Sequence, residues 1–134
     1  GFTIFFVTNR TKSTNKHTTS NLLKYGVEAT TDNTYFKTEG NSSKSQRREN
    51  INNNYEVFML IGDNLADFED VFEDKGLDIR TRKSYLEQFK GEFGNKFIIL
   101  PNAMYGGWEN TLKKRNSKSI MNDSKGNLKY LKSY

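Results

Sequence analysis

Four short apolar runs interrupt a largely polar chain: TIFFV (3–7), TYFKT (34–38), YEVFMLI (55–61) and KFIILP (96–101). Each is rich in β-branched or aromatic residues and too short for a helix, so each predicts a strand. The first reads as buried on both faces, and the third is the clearest strand signal. Between them lie segments with helix signals. Ser13 or Thr14 can cap a helix that carries Leu22, Leu23 and Tyr25 and stops at Gly26. Val27 opens a short further unit, and Gly40-Asn41-Ser42 reads as a turn. Ser42 or Ser43 can cap a helix containing Lys44, Arg47 and Ile51, which ends in the asparagine run 52–54. Leu65, Phe68, Val71 and Phe72 recur at spacings of three and four, predicting a helix that Gly76 ends. A polar helix is expected around 82–89, and a glycine-bearing loop, NAMYGGWE, follows the last strand.

Strands alternating with helices predict an α/β layer with a mostly parallel sheet. Ligands of such sheets bind at the carboxyl ends of the strands. That places Thr8-Asn9-Arg10, Gly62-Asp63-Asn64 and Pro101-Asn102 on the rim of a site.

Composition narrows the chemistry. The chain of 134 residues suits one modest domain, with 34% hydrophobic residues and 13% aromatic ones to build its core. It has no cysteine, which excludes disulfides, thiolate nucleophiles and Cys-type zinc sites, and its single histidine is His17. No apolar run approaches a membrane span. Residues 1–7 lack the basic region and cleavage site of a signal peptide. They read as a core strand, so the sequence is expected to be a piece of a longer chain. The net charge is +5, but residues 112–134 hold seven Lys/Arg against one acid, so the preceding 111 residues carry −1. The expected organisation is a core over 1–111 and a basic tail, partly disordered, over 112–134. Nucleic acid is disfavoured as a partner because the basic residues are not interleaved with a stacking platform.

IGDNLADFEDVFED (61–74) crowds carboxylates behind a strand. A solvated helix face accounts for Glu69, Asp70, Glu73 and Asp74. It accounts poorly for Asp63, at the mouth of the sheet. Asp67 lies one helical turn further on, so Asp63 and Asp67 can face one point. Two hard oxygen ligands suit Mg²⁺, which keeps several waters and takes one or two protein carboxylates. A calcium EF-hand is excluded, because Leu65 and Phe68 stand where an oxygen ligand and a glycine are required. Thr8 could bond a phosphoryl oxygen, or simply end its strand in a turn. Lys44 at a helix start runs against the helix dipole unless it points at an anion; taken singly it also reads as a surface lysine.

FFVTNR (5–10), the K-x-x-R of Lys44 and Arg47, IGDNLADF (61–68) and FIILPNAMYGGWE (97–109), in this order, resemble the class C bacterial acid phosphatases. These form the 5′-nucleotidase lipoprotein family of the haloacid dehalogenase (HAD) superfamily. The resemblance spans roughly residues 1–112. It implies a partial HAD-like Rossmannoid domain, a three-layer α/β/α sandwich. It further implies that Thr8 bonds the phosphoryl group and that Lys44 neutralises charge on the nucleophile and phosphoryl oxygens. Asp63 would ligate Mg²⁺, with Asp67 supporting the metal shell or the lysine. Tyr105 resembles the aromatic residue that stacks on a nucleoside base. Asn9 and Arg10 fall in the substrate region, where Arg10 could pair with phosphate or with an acid such as Glu109. The implied chemistry is hydrolysis of a phosphomonoester or nucleoside monophosphate through an aspartyl-phosphate.

The sequence departs from that family at one place. The first motif, D-x-D-x-T, carries the nucleophile and the acid, and it is absent. Asp32, the pair Asp67/Glu69 and Asp78 do not reproduce it. In the family its strand lies between the strands of Thr8 and Asp63, so the sheet is expected to lack a central strand and expose two edges. The chain alone is expected to be inactive, with the missing N-terminal segment of the same protein as its partner. A homo-oligomer is left open. Two alternatives stand beside this reading. One is a non-catalytic nucleotide- or phosphate-binding module; the other is an α/β domain with a nucleic-acid-binding tail. By resemblance the full-length protein is extracytoplasmic and lipid-anchored.

Overall fold

A computed structural model describes residues 1–109. The basic tail expected over 112–134 lies outside the described residues. The chain divides at Val57/Phe58 into two compact units.

The first unit contains β1 (Phe6–Thr11), α1 (Asn15–Lys24), β2 (Thr34–Lys37) and α2 (Ser45–Asn52). β1 and β2 pair in parallel, with Phe6 opposite Thr34 and Val7 opposite Tyr35. α1 stops where the sequence predicts. Gly26 has φ +73°, and its N–H reaches the Leu23 carbonyl while that of Val27 reaches Leu22. This is a Schellman cap, which glycine adopts without Cβ strain. The start of α1 differs from expectation in detail. Thr14 is the N-cap, but its hydroxyl donates to the Thr11 carbonyl (2.8 Å) instead of capping. The first strand also differs. It begins at Phe6, not at residue 3, and Phe2 and Ile4 are 84% and 65% exposed. The strand is held by β2 alone, so the apolar run extends beyond the partner available to it.

The second unit contains β3 (Leu60–Gly62), two single 3-10 turns (Leu65–Asp67 and Asp70–Phe72), α3 (Ile79–Gln88) and β4 (Phe97–Ile99). β3 and β4 are parallel, with Ile61 opposite Ile98. The mostly parallel α/β architecture is therefore present as two separate two-stranded sheets, β1-β2 and β3-β4. The run 55–61 pairs only from Leu60 onward, and Phe58 and Ile61 remain exposed. The continuous helix expected after Asp63 is instead the two 3-10 turns. Asn64 and Asp67 form a capping box that closes the first turn on itself, and Glu69 re-enters extended backbone before the second. The apolar spacing still achieves burial. Phe68 and Phe72 are 2% and 3% exposed. Phe68 stacks on Phe97 at 5.2 Å and meets Phe93 edge-on at 5.8 Å, while Phe72 contacts Tyr85 and Phe89.

α3 starts earlier than the sequence reading placed it, because Asp78 accepts the Thr81 N–H at 2.7 Å as an N-cap. That bond holds the Asp78 carboxyl below its ordinary value of 3.8. A depressed folded-state value stabilises the helix above the unfolded value and loses that effect as pH falls through the folded one. The protection of α3 amides, corrected for the pH dependence of chemical exchange, is accordingly expected to fall on acidification below about pH 4, and in Asp78→Ala that acid-dependent step should vanish. Phe68→Ala should destabilise the protein by about 3–5 kcal/mol in urea unfolding, as expected for an aromatic side chain removed from a packed core.

Candidate active site

In the first unit the expected rim residues lie at a break in strand pairing. Between Val7 and Thr11 the β1 strand advances four residues while β2 advances two, from Tyr35 to Lys37. The bulge falls on Thr8-Asn9-Arg10. Such irregularities re-aim side chains and are common beside active sites. The Arg10 N–H donates to Thr8 Oγ1 at 3.2 Å. The threonine hydroxyl keeps its own hydrogen to donate. Arg10 and Asn9 are exposed, and Thr8 is half-buried.

Lys44 is the N-cap residue of α2 and half-buried. The turn before it is ordered by a relay in which Ser43 N–H donates to Asn41 Oδ1 (2.9 Å) and Ser45 N–H to Ser43 Oγ (3.1 Å). Neither Ser42 nor Ser43, the two expected caps, is the N-cap; Lys44 takes that position, and Ser43 orders the turn before it.

Arg47 is the residue whose weight the sequence did not reveal. It belongs to the K-x-x-R pattern, yet it reads as one more cation on a polar helix. Its guanidinium is in fact buried, at 5% exposure. Nη1 donates to the Thr8 carbonyl (2.5 Å), and Nη2 donates to Asn9 Oδ1 (2.7 Å) and to the Ser43 carbonyl (2.7 Å). One planar fork therefore ties the end of β1 to the turn that launches Lys44. The bond to Asn9 engages the carboxamide oxygen and leaves the Nδ2 hydrogens as the part able to meet a substrate.

In the second unit, Asp63 directly follows β3 and is exposed. Its Oδ2 accepts Asn102 Nδ2 at 2.7 Å. Asp67 Oδ2 accepts the Asn64 N–H at 3.1 Å. Its side chain lies so close to Gly62 that a Cβ there would stand 2.6 Å from both Asp67 Cβ and Oδ2. Glycine at position 62 is thus required by the close approach of Asp67. Among the described residues no cluster of three or more acids and histidines forms. Asp63 and Asp67 each present a carboxylate on a hydrogen-bonded support, the hard-oxygen donor type that divalent cations such as Mg²⁺ take.

Beyond β4, Asn102 Oδ1 accepts the N–H groups of Met104 (3.0 Å) and Tyr105 (3.3 Å), and its carbonyl accepts Trp108 Nε1 (3.2 Å). Tyr105 is 66% exposed, as a base-stacking ring would need to be. Arg82 of α3 spans inward. Its guanidinium lies 5.7 Å from the Phe72 ring centre, and its burial lowers its pKa. A Cβ at Gly107 would come within 3.1 Å of Arg82 Nη2, so the loop approaches α3 closely there.

Comparison with known proteins bears on both groups of residues. The family model for the HAD superfamily, subfamily IIIB (acid phosphatase), matches residues 1–108. The crystal structure of the class C acid phosphatase from Bacillus anthracis with tungstate bound is similar at a TM-score of 0.79 and 32% identity. That match covers 98% of this chain and 55% of that one. A second structure of the Bacillus anthracis class C acid phosphatase gives a TM-score of 0.77 at 31% identity with the same coverage, 98% and 55%. The chain thus spans little more than half the length of these relatives.

Arg47→Met should cost on the order of 2–4 kcal/mol, because it strands the buried carbonyls of Thr8 and Ser43. Urea unfolding measures the loss, and Arg47→Lys should recover only part of it. Gly62→Ala should disrupt the Asn64–Asp67 box, seen as faster amide exchange at Asn64.

Proposed function

The chain belongs to the HAD superfamily subfamily IIIB acid phosphatases, and on that premise we propose that the whole protein is a Mg²⁺-dependent phosphomonoesterase acting on nucleoside monophosphates. The observation that carries this reading is Asp63. A carboxylate stands at the carboxyl end of a parallel strand, held by Asn102, with Asp67 packed against the preceding glycine.

The roles follow from the placement of each group. Thr8, on the bulge of β1, donates its hydroxyl hydrogen to a phosphoryl oxygen. Lys44, at the head of α2, neutralises charge on the phosphoryl oxygens. Asp63 holds Mg²⁺, and Asp67 supports that shell from behind Gly62. When bound, the ion supplies electrostatic stabilisation of the transferring phosphoryl group. Arg10 and the Nδ2 group of Asn9 meet the substrate, and Tyr105 stacks on its base. The nucleophile is an aspartate of D-x-D-x-T, supplied by a segment outside these 134 residues. It attacks phosphorus while the second aspartate of the same motif protonates the leaving oxygen, so that the P–O ester bond breaks, the alcohol departs and an aspartyl-phosphate forms, which water hydrolyses. By the same resemblance the protein works outside the cytoplasm on a lipid anchor.

Four outcomes test this. In the complete protein, Asp63→Asn should abolish Mg²⁺-dependent turnover. Lys44→Ala should lower kcat by about 10²-fold or more with an unchanged circular dichroism spectrum, as expected for removal of a preorganised charge. Tyr105→Ala should raise KM for nucleotides roughly tenfold and leave small aryl phosphates unaffected. Equal losses on both substrate classes would take Tyr105 out of the specificity role. The pure 134-residue chain should show no turnover, and measured hydrolysis by it would contradict the assignment of the nucleophile.

A further inference from the structure

Asn102 uses both ends of one planar amide. The nitrogen end donates to Asp63 Oδ2 at 2.7 Å. The oxygen end accepts the backbone N–H groups of Met104 and Tyr105 at 3.0 and 3.3 Å. Its own carbonyl receives the Trp108 indole at 3.2 Å. The loop beyond it is drawn tight. Gly106 has φ +157°, and a Cβ there would stand 2.9 Å from Trp108 Cδ1. Met104 and Tyr105 nonetheless present their side chains outward, at 85% and 66% exposure. The loop is therefore fixed through its backbone and offered to solvent through its side chains.

We infer that Asn102 is a positioning residue that couples cation binding at Asp63 to the conformation of the loop presenting Tyr105. This rests on the proposed role of Asp63 as a Mg²⁺ ligand. A carboxylate is planar, so turning Oδ1 toward a cation also moves Oδ2 and the bond that it accepts from Asn102. The bond from Asn102 Nδ2 is the one recorded for the Asp63 side chain among the described residues. Because the amide is rigid and planar, any rotation at its nitrogen end is carried to its oxygen end, and so to the Met104 and Tyr105 N–H groups. No other side chain of this size serves both ends. Aspartate would set a second anion against Asp63, and alanine would release both. Linkage then makes the effect reciprocal: a base stacked on Tyr105 tightens the cation by the factor that the cation tightens the base.

The experiment uses the full-length protein, with Mg²⁺ alone as the probe. Mg²⁺ affinity is measured by calorimetry, and amide exchange is followed at Met104 and Tyr105. In the wild type, saturation with Mg²⁺ should change exchange at both positions by about fivefold or more. Asn102→Ala should weaken Mg²⁺ binding roughly tenfold and leave exchange at Met104 and Tyr105 indifferent to the ion. Trp108, the only tryptophan of this sequence, gives a second readout. Its emission, isolated by difference against Trp108→Phe, should respond to Mg²⁺ in the wild type and not in Asn102→Ala. Should Asn102→Ala fail to fold, the wild-type exchange data still decide. Mg²⁺ binding with unchanged exchange at both amides overturns the coupling and spares the metal site. Absence of any Mg²⁺ binding removes the metal site and the coupling together.

Discussion

A single buried guanidinium organises the first unit. Among the described residues Ile51 is the one apolar side chain buried there, beside the polar Thr18, Thr34 and Arg47. Apolar burial alone cannot hold a strand end and a helix start in fixed relation with so little to bury. Arg47 does it with directed bonds instead. Burying a charge is costly unless its donors are met, and here they are met by backbone carbonyls of two chain segments and by Asn9. The geometry that satisfies the charge is the geometry that sets Thr8 beside the turn of Lys44. Loss of the fork would free the segments from each other before it changed any group that touches a phosphate.

The second unit solves the same problem with the opposite means. Its aromatic cluster of Phe68, Phe72, Phe89, Phe93 and Phe97 supplies the rigid body. Small polar side chains then do the placing. Asn64 and Asp67 bond each other across one 3-10 turn, and Asn102 reaches from the far side of β4 to Asp63. Each carboxylate proposed to hold the cation is thereby supported by an asparagine: Asp63 by its side chain, Asp67 by its backbone N–H.

Much of this was legible in the sequence, and the exceptions have physical causes. Glycine and proline report local backbone needs, so the end of α1 at Gly26 and the turn at Gly40 could be placed. Parallel pairing followed from the alternation of apolar runs with helix signals, whereas the single expected sheet is, among the described residues, two sheets of two strands. Strand length did not, because an apolar run extends only as far as a neighbouring strand pairs with it. The helix after Asp63 was misread for a related reason. The spacing of Leu65, Phe68 and Phe72 satisfies a helix and two 3-10 turns alike, and the extended backbone at Glu69 that separates the turns leaves no mark in that spacing. Arg47 reads as part of the K-x-x-R pattern and Asn102 as part of the rim, but their bonding was not legible, because nothing in composition distinguishes a solvated arginine or asparagine from one that ties two segments together. The D-x-x-T signal at Asp78 was available, and it marks the true start of α3.

The two faces of the β3-β4 sheet are unequally covered. Phe97 packs into the aromatic cluster, whereas Ile61 is 62% exposed on the opposite face, level with Ile98. A parallel sheet is normally covered on both faces, and two strands are fewer than stand alone. The run YEVFMLI therefore encodes more burial than its own unit provides, as TIFFV does in the other. A further strand, such as the one proposed to carry the first motif, would add apolar cover of the kind these runs call for. On that proposal the same segment would deliver the nucleophile. The groups proposed here to meet phosphate and cation stabilise charge. None of them forms the bond to phosphorus, and electrostatic stabilisation accelerates nothing until an attacking atom generates the charge it is arranged to receive.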